Sequence, residues 1–146
     1  MATVTSQGQD SLAAAAAAAA RARRIAELKA QILIWETKLK KVKSQMTSLA
    51  TQNTNLNTYL GEWETQKGIY SGNETLSEVV IVNVFEGVCA DKIKAKFKKS
   101  IKTMNGTYNR VNDLTGIVGL QIARLKQYEA YINSKLTSLK TELSSL

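Results

Sequence analysis

The chain has 146 residues, of which 44% are hydrophobic and 22% are charged, and its formal net charge is +8. This length predicts one domain, 1–146, with the composition of a folded protein. The sequence contains no histidine, no proline and one cysteine, Cys89, which excludes histidine-based catalysis, an intrachain disulfide and a cysteine cluster for a metal.

The N-terminal end of the chain changes character at Ser11. Residues 1–10 are polar and have no apolar period, so we expect a disordered tail there. Ser11 can serve as an N-cap for the helix that follows. Residues 13–20 are all alanine, which gives the highest helix propensity but little apolar surface to hold a partner. We expect this run to be helical, and the sequence leaves open whether it is an ordered part of the first arm.

The first arm, residues 11–68, is predicted to be one long helix that stops between about Thr65 and Tyr70. Its apolar residues step by threes and fours for more than five heptads, which is typical of a coiled-coil helix. Asn53 stands at one position of this seam, either as a specifier of register or oligomeric state or as a plain polar break. The apolar seam residues are Ile25, Leu28, Ile32, Trp35, Leu39, Val42, Met46, Leu49, Leu56, Leu60 and Trp63.

Residues 69–86 are predicted to connect the two arms. Gly72 follows the first arm, and the spacing from Thr75 to Glu78 is that of a capping box. The β-branched run from Val79 to Val84 is compatible with a strand. A single strand has no sheet to join, so we expect a short helix or an extended crossover.

The second arm, residues 87–146, is predicted to be another long amphipathic helix. Its apolar spacings mix 3-4 with 4-4 steps, so we expect the seam to drift from a pure heptad. Gly116 and Gly119 lie within it, where we expect a bend or, as the alternative, a break that makes a third helix. The predicted seam is Ile93, Phe97, Ile101, Met104, Tyr108, Val111, Leu114, Val118, Ile122, Leu125, Ile132, Leu136, Leu139, Leu143 and Leu146.

Two arms of similar length with a short connection predict an all-α fold, a long antiparallel two-helix hairpin. Two helices bury only one seam each, which leaves a thin core. A homodimer or a helical partner protein is therefore expected. The aromatic residues available to face a second molecule are Tyr59, Trp63, Tyr70, Tyr128 and Tyr131.

The sequence offers few groups for chemistry. We see no paired carboxylates for acid–base catalysis and no glycine loop for phosphate, so we expect no catalytic, cofactor-binding or metal site and no enzymatic activity. Lysines are dense in 38–43 and 92–102, but no nucleic-acid motif accompanies them. No stretch reaches the roughly 18 apolar residues expected of a membrane span.

The segment from Leu76 to Leu143 resembles the YwqH-like family, in the WXG superfamily of type VII secretion proteins of Gram-positive bacteria. The sequence FEGVCADKIKAKF stands where that family has a Trp-x-Gly step, a small residue and a following aromatic. The matched positions are Phe85, Gly87, Ala90 and Phe97.

The sequence departs from this resemblance in two places. Phe85 replaces the family's tryptophan, which keeps an aromatic side chain for packing. The tail lacks the Tyr-x-x-x-acid export signal of many WXG proteins, because Ile132 follows Tyr128 at that spacing and Lys135 follows Tyr131. The second departure favours a protein that travels with, or chaperones, a partner carrying its own signal.

The resemblance implies a non-enzymatic cytoplasmic protein, open to export by a type VII system, that pairs with a WXG-like or LXG-toxin helical partner as co-secreted partner or targeting chaperone. A self-assembling coiled-coil scaffold is the alternative, and a basic helical binder of nucleic acid or anionic membrane is the third hypothesis. The predicted turn motif is Phe85, Gly87 and Ala90. The predicted partner contacts, for each of which the chain's own core is the alternative, are Trp35, Leu39, Val42, Leu49, Leu56, Phe97, Ile101, Met104 and Leu125.

Overall fold

The computed structural model describes residues 3–71 and 88–146, with the side chains of 6–69 and 91–146. The described residues form two helices, α1 (Thr3–Ser71) and α2 (Val88–Ser145). The two helices pack against each other, which confirms the predicted all-α helical hairpin. The predicted capping box and the β-branched run after it lie outside the described residues.

Helix α1 begins at Thr3, where the sequence predicts a disordered tail over 1–10. The Ser11 hydroxyl donates a hydrogen bond to the Gly8 carbonyl at 3.0 Å within the helix, so it does not cap a helix start. The alanine run is helical, and every side chain from 6 to 23 is exposed. High helix propensity, rather than packing, therefore explains this extension of α1.

Helix α2 continues without interruption through Gly116 and Gly119, so the alternative with a break at these glycines is wrong. The less exposed residues of α2 repeat strictly three and four apart from Lys94 to Leu139. The predicted drift of its seam is therefore also wrong. Polar residues complete the heptads in three places, and they are Lys94, Thr115 and Glu129.

The chain forms two compact units, each made from a segment of both helices. Unit 1 comprises Met1–Met46 and Arg124–Leu146, and unit 2 comprises Thr47–Ala123. This division separates two kinds of packing.

Unit 1 contains a closed aliphatic core. Val42, Ile132 and Leu136 form a buried cluster, and Ile132 and Leu28 are each 0% exposed. Burying a side chain of this size stabilises the fold by about 1.5 to 3 kcal/mol. The half-buried residues that pack against the cluster are Ile32, Trp35, Leu39, Met46 and Leu125.

Ion pairs join the two helices beside this core. Arg24 Nε and Nη2 donate hydrogen bonds to Glu142 Oε1 at 2.7 and 2.5 Å. The hydrogen bond to Glu142 and its negative charge raise the pKa of the Arg24 guanidinium above its ordinary value. The further pairs are Lys140 with Glu36 at 2.8 Å and Lys43 with Glu129 at 3.9 Å.

Unit 2 has a thinner core. Among its described residues, Leu60 is the one buried hydrophobic side chain. Asn53 lies at the seam with its Oδ1 atom buried, and that atom has no hydrogen-bond partner among the described residues. A buried polar atom left unpaired costs about 1 to 3 kcal/mol. The polar seam position thus weakens unit 2 relative to an apolar one.

Candidate protein-interaction surface

Unit 2 exposes an aromatic groove between its two helix segments. The groove holds about 110 Å³, and its lining residues are Tyr59, Leu60, Trp63, Thr107, Tyr108 and Val111. Residues three and four apart share one face of a helix, so α1 and α2 each contribute one side. The Tyr59 side chain is 65% exposed and that of Trp63 is 40% exposed. The groove is therefore open to a second molecule along its aromatic wall.

A second groove adjoins the first because Tyr59 lines both. Its residues are Gln52, Asn55, Leu56, Tyr59, Leu114 and Val118. Leu114 is 45% exposed, although the sequence predicts it in the seam. Thr115 takes the seam position instead, and this turns Leu114 toward the groove. Together the two grooves, called the aromatic track below, present a mainly apolar surface.

Two polar contacts hold one aromatic ring of the track in place. The Tyr108 hydroxyl donates to Glu64 Oε2 at 3.5 Å. Lys67 Nζ lies 5.1 Å from the centre of the Tyr108 ring, within the range of a cation–π interaction. Both charged partners come from α1, so these contacts orient Tyr108 beside Trp63.

A basic groove lies on the outer side of α2 in the same unit. Its lining residues are Lys96, Lys99, Ser100, Thr103 and Met104. The Thr103 hydroxyl donates a hydrogen bond to the Lys99 carbonyl at 3.0 Å. Thr103 and Thr107 are one helical turn apart, so the basic groove adjoins the aromatic track on α2.

Unit 1 has an aromatic cluster whose rings contact one another. Trp35 and Tyr131 meet edge to face with centroids 5.9 Å apart, and Tyr128 stacks on Tyr131 at 6.2 Å. Lys38 Nζ lies 4.1 Å from the centre of the Trp35 ring. These rings contact one another within unit 1, and Tyr128 and Tyr131 are nevertheless 41% and 49% exposed.

The described part of the chain shows no group of three or more histidine, cysteine, aspartate or glutamate side chains placed to hold a metal ion. Neither described helix contains a segment long and apolar enough to cross a membrane. The chain matches no protein-family model, and comparison with curated proteins and with solved structures finds no significant similarity.

The predicted partner contacts lie along the seam. Trp35, Leu39, Val42 and Leu125 belong to the core of unit 1 or pack against it. The others are half-buried in unit 2, and they are Leu49, Leu56, Phe97, Ile101 and Met104. Of these, Leu56 lines the aromatic track and Met104 lines the basic groove.

The predicted turn motif is described only in part. Ala90 lies in the first turn of α2, whereas Phe85 and Gly87 lie outside the described residues. Among the exposed apolar residues, Tyr59 and Trp63 are suggested by the sequence as partner-facing, but Leu114 is not. A strict period of three and four residues could have predicted the exposure of Leu114. That period places Thr115 in the seam if polar residues are accepted at seam positions.

Proposed function

We propose that this chain is a non-enzymatic helical pairing protein and that the aromatic track of unit 2 docks onto a second helical protein. The observation that carries this proposal is the exposure of Tyr59, Trp63 and Leu114 on a unit whose described residues include one buried hydrophobic side chain. Contiguous exposed apolar surface marks interaction sites, and tryptophan and tyrosine are enriched among residues that dominate binding energy.

We further propose a partner of the WXG-like or LXG-toxin class. The chain then acts as a co-secreted partner or targeting chaperone, in the cytoplasm before type VII export. This part of the proposal is supported by the resemblance at Phe85, Gly87, Ala90 and Phe97 and by the helical-hairpin fold. In this proposal the seam contacts within each unit stay intact. The partner binds the aromatic track, which the seam contacts leave exposed.

The test is recovery of the partner from the cells that make this protein, followed by reconstitution. The full chain is tagged and captured as wild type and as the variants Trp63→Ala, Leu114→Ala and Leu120→Ala. Leu120 is a matched control, because it is 63% exposed on α2 but does not line the track. The recovered protein is identified, purified and titrated against each variant.

We expect a helical secretion partner whose affinity falls about 30-fold for Trp63→Ala, since removal of a central interface aromatic typically costs about 2 kcal/mol. Leu114→Ala should weaken binding less, and Leu120→Ala should leave it unchanged. Recovery of this chain alone would contradict the proposal and support the alternative of a self-assembling scaffold. A partner that binds all variants equally would place its site elsewhere.

A further inference from the structure

We infer that the docking surface of unit 2 is polarised: it takes an amphipathic helix of another protein that carries carboxylates at one end and apolar side chains along the rest. This inference rests on the proposed function, because it names the chemistry of the helix that docks there. Its basis is the order in which charged and aromatic grooves follow each other along α2.

The grooves form a sequence along one side of α2. Lys96 and Lys99 line the first, Thr107 and Val111 the second, and Leu114 and Val118 the third. From Lys96 to Val118 a helix rises about 33 Å at 1.5 Å per residue. A partner helix of roughly 22 residues matches this length.

Lysines line one end of this surface, and Glu64 and Lys67, one charge of each sign, contact Tyr108 from α1. Lys96 and Lys99 line the basic groove, whereas the residues that line the aromatic track include no charged side chain. Lysine side chains attract carboxylates most strongly where apolar neighbours reduce contact with water. A partner with its acidic residues at this end and apolar residues beyond it is therefore complementary in charge and in polarity.

The residues beside the track agree with this assignment. On α2, positions 96, 100, 103, 107, 110, 114 and 117 share one side because they are three and four residues apart. They include the cations Lys96 and Arg110 and no carboxylate. On α1, Glu62 and Glu64 flank Trp63 in the sequence, and Glu64 accepts the Tyr108 hydroxyl hydrogen bond. A helix that leans on α2 thus meets cations outside the aromatic track.

A second copy of this chain is a poorer occupant than an acidic helix. Each copy carries a net charge of +8, and two copies of like charge repel each other. The lysine-rich end of the surface would have to face another basic chain or remain unpaired. Charge complementarity therefore points to a different, acidic partner.

A small anion alone also fits the basic groove poorly. The Thr103 hydroxyl hydrogen is already donated to the Lys99 carbonyl, so Thr103 offers an anion no donor. The helical backbone of α2 has its own hydrogen bonds at this point. The groove thus offers lysine side chains suited to carboxylates on a helix, rather than a phosphate cradle of backbone and hydroxyl donors.

The experiment uses the full chain and two fluorescein-labelled 22-residue peptides in an anisotropy titration. Both peptides carry leucine at helical i, i+3 and i+7 spacing over their last three turns, while the first two turns carry glutamate in one peptide and lysine in its twin. We expect the glutamate peptide to bind at least about tenfold more tightly at low salt, and the difference to shrink as salt rises.

Two double variants locate the effect. Lys96→Glu with Lys99→Glu should reverse the preference between the peptides. Lys98→Glu with Lys102→Glu changes the net charge equally but alters residues outside the basic groove, so it should preserve the preference. Equal binding of both peptides, or equal effects of both double variants, would overturn the inference.

Other occupants give different results. A dimer in sedimentation velocity that Trp63→Ala abolishes would assign the surface to a second copy and overturn the inference. Binding to phosphatidylglycerol vesicles without binding to either peptide would assign the lysines to a membrane and also overturn it. If the recovered secretion partner depends on Trp63 but not on Lys96 and Lys99, the inference fails while the proposed function stands.

Discussion

Units 1 and 2 are built from the same two helices and the same heptad spacing, yet they use it differently. Unit 1 surrounds Val42, Ile132 and Leu136 with further apolar side chains and joins its helices by ion pairs. Unit 2 buries Leu60 and leaves Tyr59 and Trp63 exposed. A regular heptad therefore does not by itself decide whether a helical pair buries its large apolar side chains or leaves them exposed.

The difference lies in a few seam positions. Asn53 places an unpaired polar atom in unit 2, and Thr115 occupies a position where an apolar residue would pack. In unit 1 the polar seam residue Glu129 is paired with Lys43. We infer that unit 1 supplies most of the stability of the fold.

The largest expected effect is that of truncating the core of unit 1. Ile132→Ala should lower the free energy of unfolding by about 3 to 4 kcal/mol, because it empties a fully buried site. The matched change Ile122→Ala removes a half-buried isoleucine of α2 in unit 2 and should cost about half as much. Urea unfolding followed by circular dichroism at 222 nm measures both. Equal losses would contradict the contrast between the units.

The second prediction makes unit 2 more like unit 1. Asn53→Leu should raise the free energy of unfolding by about 1 to 2 kcal/mol, since it replaces an unpaired buried amide oxygen by apolar contact. Asn57→Leu changes an exposed asparagine of the same helix and should have little effect. Thermal unfolding of both variants compares them. A lower free energy of unfolding for Asn53→Leu would show that the Asn53 amide stabilises the native fold.

The third prediction separates the core of unit 1 from its helical extension. Ala30→Gly, at an exposed site beside the core segment of α1, should cost about 1 kcal/mol in global stability. Ala16→Gly should leave global unfolding unchanged and accelerate amide exchange only near residue 16, because the side chains of that segment are exposed among the described residues. Hydrogen exchange by mass spectrometry distinguishes the two. A global effect of Ala16→Gly would assign a stabilising contact to the alanine run.

The smallest expected effect is that of the ion pair beside the core. A double-mutant cycle of Arg24→Ala and Glu142→Ala should give a small favourable coupling energy, since both side chains are partly exposed. The coupling should decrease in 1 M salt. The control cycle, Lys43→Ala with Glu129→Ala, concerns a pair 3.9 Å apart and should give less. A salt-independent coupling would point to packing instead of charge.

The sequence predicts the fold because its apolar period is strong and extends over most of both helices. The seam from Ile25 to Leu60 was readable, since apolar side chains occupy nearly every position that becomes buried or half-buried. The start of α1 was not readable from the sequence. The polar residues before the alanine run lack an apolar period, yet helix propensity extends the helix through them.

The surface was predictable only in part. The sequence suggested Tyr59 and Trp63 as partner-facing. Two helices bury only one seam each, so large aromatic side chains remain that can face a second molecule. It assigned Leu114 to the seam, because a leucine is a stronger candidate for burial than the neighbouring Thr115. The heptad of the whole helix overrides that local preference, since shifting one residue would rotate every later position out of contact.

The alanine extension of α1 has a mechanical consequence. Residues 6–23 form a helix whose side chains are all exposed, and at 1.5 Å per residue this segment spans about 27 Å. It therefore carries α1 well beyond the packed residues of unit 1, so that residue 6 lies far along the helix axis from Leu28. A fluorophore at residue 6 and another at Lys140 would report that spacing directly by resonance energy transfer.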